Sequence, residues 1–346
     1  MRLANFLQYG GDPRAAADLI TAQEAAGLDI VWVAEAYGYD SPTLMGYLAA
    51  KTETVEIGAA ILNVYSRTPS ALAQTAAGLD NVSQGRAILG LGASGPQVIE
   101  GFHGVPYRKP LGRTRDVVEV VRKTLAREEP LVHDGPTVTV PLPPDQGTGL
   151  GKPLKMINHP HRNRVPIHVA ALGPKNVQMA AEIADGWIPH LYLPEHADAV
   201  WGDDLRAGAA DRDADLPPME VVAGGLLAIA EGEERDQLLG AARSMIALYV
   251  GGMGAKGKNF YNNIFRRYGY EAEAERIQEL YLSGRKKEAE EAVPDDYLRA
   301  TVMAGDEGFV RERLEAFSAA GVTRLSITPT DTDPAALISK VKGWLS

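Results

Sequence analysis

The hexapeptide Gly90-Leu91-Gly92-Ala93-Ser94-Gly95 follows an apolar run and satisfies G-x-G-x-x-G. Glycines so spaced let a backbone approach a phosphate or a flat ring, because no Cβ intervenes. A dinucleotide-binding turn of this pattern stands at the first strand of its unit and runs straight into a helix. It also needs an acidic residue about 20 positions on, closing the next strand. Here the acidic residue near that distance, Asp116, sits in the helical stretch RTRDVVEVVRK, and Gly90 falls inside the strand itself. The dinucleotide reading fails. What remains is a ligand-binding glycine loop at a strand end, or a tight turn with no ligand.

Other residues able to do chemistry also stand just behind apolar runs. Glu35 follows IVWVA, with Tyr37 and Tyr39 close behind. It can accept hydrogen bonds or a proton, or simply cap a helix or pair with a cation. Asn63, Tyr65, Ser66 and Arg67 form a polar set after the run 55–61. Further on, Gly173 closes a run, Pro174 opens a helix, and Lys175 and Asn176 fall in its first turn. A lysine there opposes the helix dipole unless an anion is received, which predicts phosphate binding. Arg67, Arg108, Lys152 and Lys155 extend this into a basic rim. His103 lies just after the glycine loop, to reach a pocket or bond within its loop, and His190 ends another run. His159 and His161 form H-x-H, but Pro160, Arg162 and Arg164 speak against a divalent ion, so no metal site is expected.

These groups need a scaffold that collects strand ends. Apolar runs at 3–7, 30–34, 55–61, 87–91, 165–171, 187–190, 221–230 and 324–328 read as strands. Helical patterns fall at 13–26, 42–52, 70–82, 113–127, 174–184, 195–210, 307–320 and 334–345. Asp12 and Pro13 suit the N-cap and first helical position of the first. Two stretches break the rhythm. Residues 128–164, rich in Pro and Gly around TVTVPL, read as an insertion with a short strand or hairpin. Residues 232–304 read as a charged helical insertion, with a helix pair in EAEAERIQELYLSGRKKEAEEA. The class is α/β. Eight βα units without a shift in composition favour one (β/α)8 TIM barrel over 1–346, its insertions before strand 5 and after strand 7. An open doubly wound sheet is the alternative. In the barrel, every loop that follows a strand opens on one face, where active sites are built.

Composition narrows the function. No run reaches about 18 apolar residues, so no membrane span is expected. A net charge of −10 disfavours nucleic acid and anionic membrane as partners. The absence of cysteine excludes disulfides, thiolate metal sites and thiol catalysis. The first residues do not read as a secretory signal, and a cytoplasmic enzyme is expected.

The segments ILGLGASGPQVIEGFHGVPY, LGRTRDVVEVVRK and VAALGPKNVQMAAEIADGW resemble the bacterial luciferase-like superfamily. Within it they are similar to the actinobacterial oxidoreductases that use the deazaflavin coenzyme F420, and the similarity runs from Met1 to the final helix. The resemblance implies a TIM barrel, a homodimer, F420 as cofactor, and hydride transfer between C5 of the deazaflavin and a small organic substrate. By position it implies a non-prolyl cis peptide at Ala60–Ile61, just before Asn63, backing the ring. It places Gly92, Ala93, Ser94 and Gly95 against the cofactor, and Ala171, Leu172, Gly173 and Pro174 at ring or phosphate, with the anionic tail towards Lys175. It also places Glu35 near the ring. There the carboxyl is suited to deliver a proton, ahead of His103, Tyr37 and Asn63 as candidates for proton delivery or substrate orientation. The family's glucose-6-phosphate dehydrogenases carry a histidine where Ala36 stands and a glutamate near Pro96, so sugar-phosphate oxidation is not expected. NVYSRTP resembles methylene-tetrahydromethanopterin reductases. Two other functions share the scaffold: an FMN-dependent monooxygenase or reductase, and a non-catalytic flavin- or deazaflavin-binding protein.

Overall fold

The computed structural model describes residues 1–7, 10–254 and 256–345. Eight parallel strands close a barrel: β1 (Arg2–Leu7), β2 (Ile30–Val33), β3 (Glu56–Ala59), β4 (Ala87–Gly92), β5 (Ile167–Ala170), β6 (Gly186–Ile188), β7 (Glu220–Ile229) and β8 (Arg324–Pro329). Each pairs with its sequence neighbour, and β8 closes on β1 with Arg2 opposite Arg324. The expected (β/α)8 barrel is therefore the observed one. Among the described residues, no helix is long and apolar enough to cross a membrane.

The helix starts follow from local chemistry. Asp12 accepts from Arg14 N ahead of α1 (Pro13–Ala25), Asp40 from Thr43 N ahead of α2 (Ser41–Lys51), and Thr68 from Ala71 N ahead of α3 (Pro69–Val82). Two starts differ. α4 (Pro96–Gly101) and the helix Pro174–Ile183 begin at Gly95 and Gly173 with no side-chain cap. Both follow strand ends at the barrel mouth.

The strands' alternation puts Ala4, Ile30, Trp32, Ile88 and Val222 in one buried interior cluster, with Phe6, Ala60 and Ile188 packed against it and partly exposed. The floor of the mouth is thus apolar. At the opposite end the interior is ionic. Arg324 donates to Glu56 (2.6 Å) and Glu220 (2.7 Å), and His168 Nε2 lies 3.0 Å from Glu220. Burial alone would push the Glu220 carboxyl up, but the contacts from His168 and Arg324 outweigh it and hold it at about 2. Burial pushes the His168 imidazole below its usual 6.5. Both groups are depressed in the fold, so their contribution is full above the unfolded values and falls with acid. His168 loses its share as pH drops below 6.5, and Glu220 as pH drops from 4.5 towards 2. Thermal melts across pH should therefore show stability declining below 6.5, with a shallower slope for His168→Gln. An equal slope in the variant would remove His168 from the account.

The insertions form as expected in kind. Residues His133–Asp134 and Thr139–Val140 make an antiparallel hairpin. Asp116, on the helix Pro110–Ala126, fastens it by accepting from Thr137 N (2.8 Å) and Thr137 Oγ1 (2.5 Å). The 232–304 segment holds helices Gly232–Ala247, Phe260–Arg267, Glu271–Leu282, Lys286–Glu291 and Asp295–Thr301. Three local expectations change. A short strand, Met303–Gly305, pairs with the end of β7. The helix expected at 195–210 is confined, as an α-helix, to Asp203–Ala210, behind two turns of other pitch at Pro194–His196 and Asp198–Gly202. The third strand breaks after Ala59 and resumes at Leu62–Asn63.

Candidate active site

That break shapes the mouth. Gly58 pairs with Ile88, yet Leu62 pairs with Leu91, so the third strand spends one residue more than its neighbour. The result is a bulge, a feature common beside active sites, and the Ala60–Ile61 peptide within it is cis. Opposite stands Gly90, where a Cβ would overlap the Ala59 carbonyl oxygen. At Gly92 a Cβ would sit 3.0 Å from the Ile61 side chain and 3.4 Å from Ala170 Cβ. Gly95 is different: its φ is −120° and nothing lies within 4 Å of a Cβ placed there. Gly90 is therefore demanded by strand packing and Gly92 stands in close contact with its neighbours, while Gly95 faces open space. Ala93 is partly exposed between them. Ser94 is held in the left-handed region (φ 56°), and its carbonyl accepts from Tyr107 Oη at 3.1 Å.

Glu35 and Arg67 meet at the ends of the second and third strands. Arg67 donates through Nη1 (2.7 Å) and Nη2 (3.0 Å) to the two carboxylate oxygens, and Ser41 N adds a third bond at 2.8 Å. The side chains are 7% and 21% exposed respectively. Pairing with Glu35 raises the Arg67 guanidinium above its usual value, despite burial. A bidentate guanidinium pair engages both carboxylate oxygens of Glu35 as acceptors, a geometry suited to orientation. It also removes Arg67 from the basic rim.

Asn63 ties the third strand to the segment behind the glycine loop. Its Oδ1 accepts from Tyr65 N (3.1 Å) and Ser66 N (2.7 Å), which leaves Nδ2 to donate to His103 Nε2 at 3.3 Å. Phe102 and Tyr37, both exposed, lie ring to ring beside it. Tyr65 Oη donates to the Arg108 carbonyl (2.9 Å) and its ring meets Tyr107 at 5.2 Å. This tyrosine pair was not anticipated as a unit, since its members stand in different loops. A cavity of about 440 Å³ opens beside Glu35, between α1 and α2, lined in part by Leu7, Val33, Ala34, Leu44 and Tyr47.

On the other side, two indoles anchor the segment after β5. Trp187 Nε1 donates to the Ala171 carbonyl (2.9 Å), and Trp201 Nε1 to that of Leu172 (3.3 Å). Gly173 and Pro174 then open the uncapped helix, and Lys175 Nζ rests on Gln178 Oε1 at 3.2 Å, exposed. Lys155 does not join it: Lys155 donates to the Glu128 carbonyl beyond the far end of the helix Pro110–Ala126. His161 abuts Gly85 and Arg162 binds Asp80, both at the opposite end of the barrel from the mouth. Among the described residues no acidic and histidine cluster could hold a metal.

Known proteins share this fold. The profile of the luciferase-like monooxygenase family matches residues 1–324. A Mycobacterium tuberculosis protein, named provisionally as a coenzyme F420-dependent oxidoreductase, is 41% identical over 95% of each chain. A 5,10-methylenetetrahydromethanopterin reductase of Archaeoglobus fulgidus is 27% identical, over 87% of this chain and 85% of its own. The structure of the coenzyme F420-dependent tetrahydromethanopterin reductase of Methanopyrus kandleri superposes with a TM-score of 0.77 at 25% identity, over 98% of this chain and 96% of that one. A barrel with its third-strand bulge set against a glycine loop, matched almost end to end in this way, belongs to the luciferase-like monooxygenase family.

Proposed function

We propose that the protein is an F420-dependent oxidoreductase that exchanges a hydride with a small organic substrate at the barrel mouth. The observation that carries this is the open space at Gly95, on the loop whose Gly92 packs against Ile61 and whose Ala93, like Ala60 and Ile61, is partly exposed. A flat ring fits against such an apolar surface, and the buried Thr330 Oγ1, just past the end of β8, has no hydrogen-bond partner. When bound, the deazaflavin supplies a two-electron hydride centre at C5. The chain's own residues do the rest. Ala60 and Ile61 back the ring, Gly92 to Gly95 flank it, and Ala171 to Lys175 receive its anionic side. Glu35, held by Arg67, fixes the end of the second strand. Asn63 holds His103 at the rim, where the imidazole can orient a substrate. Apolar walls exclude water from the reacting atoms. The 41% identical relative carries the same cofactor in its name. The same reading takes the protein as a cytoplasmic homodimer with all of residues 1–346 serving one barrel domain.

Purified apoprotein titrated with F420 and, separately, FMN tests this by fluorescence. The expected result is micromolar or tighter binding of F420, with FMN at least about tenfold weaker, roughly 1.4 kcal/mol. Preference for FMN, followed by oxygen uptake on reduction, would move the protein to flavin-dependent oxygenation. Binding of neither would end the cofactor assignment.

A further inference from the structure

Two loops meet beside the end of the third strand. The Tyr37 and Phe102 rings lie 6.2 Å apart, tilted by 53°, and are 64% and 62% exposed. Tyr37 comes from the loop behind β2, and Phe102 follows α4, behind the glycine loop. Phe102 stands edge-on to the His103 ring at 5.1 Å, and His103 Nε2 lies 3.3 Å from Asn63 Nδ2. Asn63 is opposite Gly92 in register, where a Cβ would touch the Ile61 side chain. The contacts Tyr37–Phe102–His103–Asn63 therefore run from the loop after the second strand to the segment beside the cis peptide. Two large aromatic rings left exposed together mark a contact surface for a flat apolar ligand.

The hydrogen bonds of Asn63 decide where the His103 ring carries its hydrogen. Backbone N–H groups only donate, so the side-chain atom facing Tyr65 N (3.1 Å) and Ser66 N (2.7 Å) is Oδ1. The atom facing His103 is then the amide nitrogen, which only donates, and Nε2 must accept. An accepting Nε2 bears no hydrogen, so the hydrogen is on Nδ1. Among the described residues Nδ1–H has no partner, and the ring is partly exposed. Such an N–H donates a hydrogen bond but is too weak an acid to give its proton away. Glu35, two residues before Tyr37, has both carboxylate oxygens engaged by Arg67. This rim is built to hold a developing oxyanion without protonating it. That suits an oxygen whose charge is spread by conjugation, in a molecule that takes its proton at carbon. A saturated ketone, reduced to an alkoxide, needs the proton at oxygen itself.

We propose that His103 Nδ1–H, aligned by Asn63, holds the carbonyl oxygen of an α,β-unsaturated ketone whose flat conjugated face rests on Tyr37 and Phe102. The inference rests on the oxidoreductase reading. The β-carbon takes a hydride from the reduced deazaflavin, the C=C π pair shifts to the bond between the α-carbon and the carbonyl carbon, and the C=O π pair moves to oxygen. The enolate then takes a proton from solvent at the α-carbon, giving the saturated ketone and leaving the deazaflavin oxidised. His103 keeps its hydrogen throughout, and Asn63 is a positioning residue.

The test uses full-length protein with reduced F420, cyclohexenone and benzylideneacetone as probes, and cyclohexanone as the saturated control. The expected result is reduction of at least one enone with kcat/KM at least about tenfold above that of cyclohexanone. An amide at position 103 can replace either ring nitrogen: Asn puts its nitrogen where Nδ1 stood, Gln where Nε2 stood. For that enone kcat/KM should fall at least about tenfold in His103→Gln and be largely kept in His103→Asn, with the Kd for F420 unchanged in both. Asn63→Asp exchanges a donor for an acceptor, so ¹⁵N NMR of histidine-labelled protein should find the hydrogen on His103 Nδ1 in wild type and on Nε2 in that variant. A wild-type hydrogen on Nε2, equal use of cyclohexanone, or equal losses in His103→Asn and His103→Gln would overturn the proposal. So would F420-loaded protein that reduces neither enone. An Nε2 that stays bare in Asn63→Asp would remove Asn63 as the positioning residue. Failure of wild-type protein to bind F420 appears before any enone is added. It would overturn the oxidoreductase reading itself and this proposal with it.

Discussion

Arg67→Met is expected to destabilise the protein by about 3 kcal/mol or more and to lower Tm by roughly 4 °C or more. The variant leaves the Glu35 carboxylate, 7% exposed, with Ser41 as its remaining partner. Breaking a buried pair on one side costs more than removing both charges, because the remaining charge is stranded. The double variant Glu35→Leu/Arg67→Met should therefore recover most of the lost stability, a non-additivity expected of partners in contact. Turnover in the double variant decides the role of Glu35. If the pair only shapes the end of the second strand, F420 binding and activity return along with Tm. If Glu35 delivers the proton, stability returns and turnover does not. Thermal melts, F420 titrations and turnover assays on the four proteins of the cycle separate these outcomes, and additive losses would show that the pair does not act as a unit.

The contrast between Glu35 and the helix starts shows what the sequence could tell. Asp12 before Pro13, Thr68 before Pro69 and Gly173 before Pro174 are local signals, and the helices begin there. The eight apolar runs fall on the eight barrel strands for the same reason: each is decided within a few residues. Glu35 and Arg67 are 32 positions apart, and their pairing depends on two loops becoming neighbours only once strands 2 and 3 are adjacent. Either role was open in the sequence, because the partner that engages the carboxylate could not be read there. The break at Ala59 was hidden for another reason. IGAAIL, between Glu56 and Asn63, is one unbroken apolar run, without the alternation that would expose an extra residue. Its register is imposed by the strand beside it. The strand Met303–Gly305 is too short to register against its helical surroundings, and it forms because β7 runs on past β6 and offers an edge.

Gly90→Ala is expected to disrupt both the fold and the mouth, whereas Gly95→Ala should touch the mouth alone. At Gly90 the added methyl would overlap the Ala59 carbonyl oxygen, a backbone atom that no rotamer change can move aside. Overpacking of this kind costs about 1–3 kcal/mol and more where the obstacle is rigid. Relief requires β3 and β4 to part, which displaces Ala60 and Ile61 at the mouth, so F420 affinity should fall with Tm. At Gly95 the methyl meets nothing within 4 Å and the φ of −120° suits any residue, so Tm should hold within about 0.5 kcal/mol of wild type. Its methyl would project into the space assigned to the ring, weakening F420 by about tenfold or more. The two glycines, five positions apart in one motif, thus separate its two jobs. Wild-type F420 affinity in Gly95→Ala would mean that the ring does not approach the loop, and wild-type Tm in Gly90→Ala would mean that the bulge yields more easily than its packing indicates. Loss of binding without loss of stability at Gly95, beside loss of both at Gly90, is the pattern that a packing glycine and a ligand-facing glycine together require.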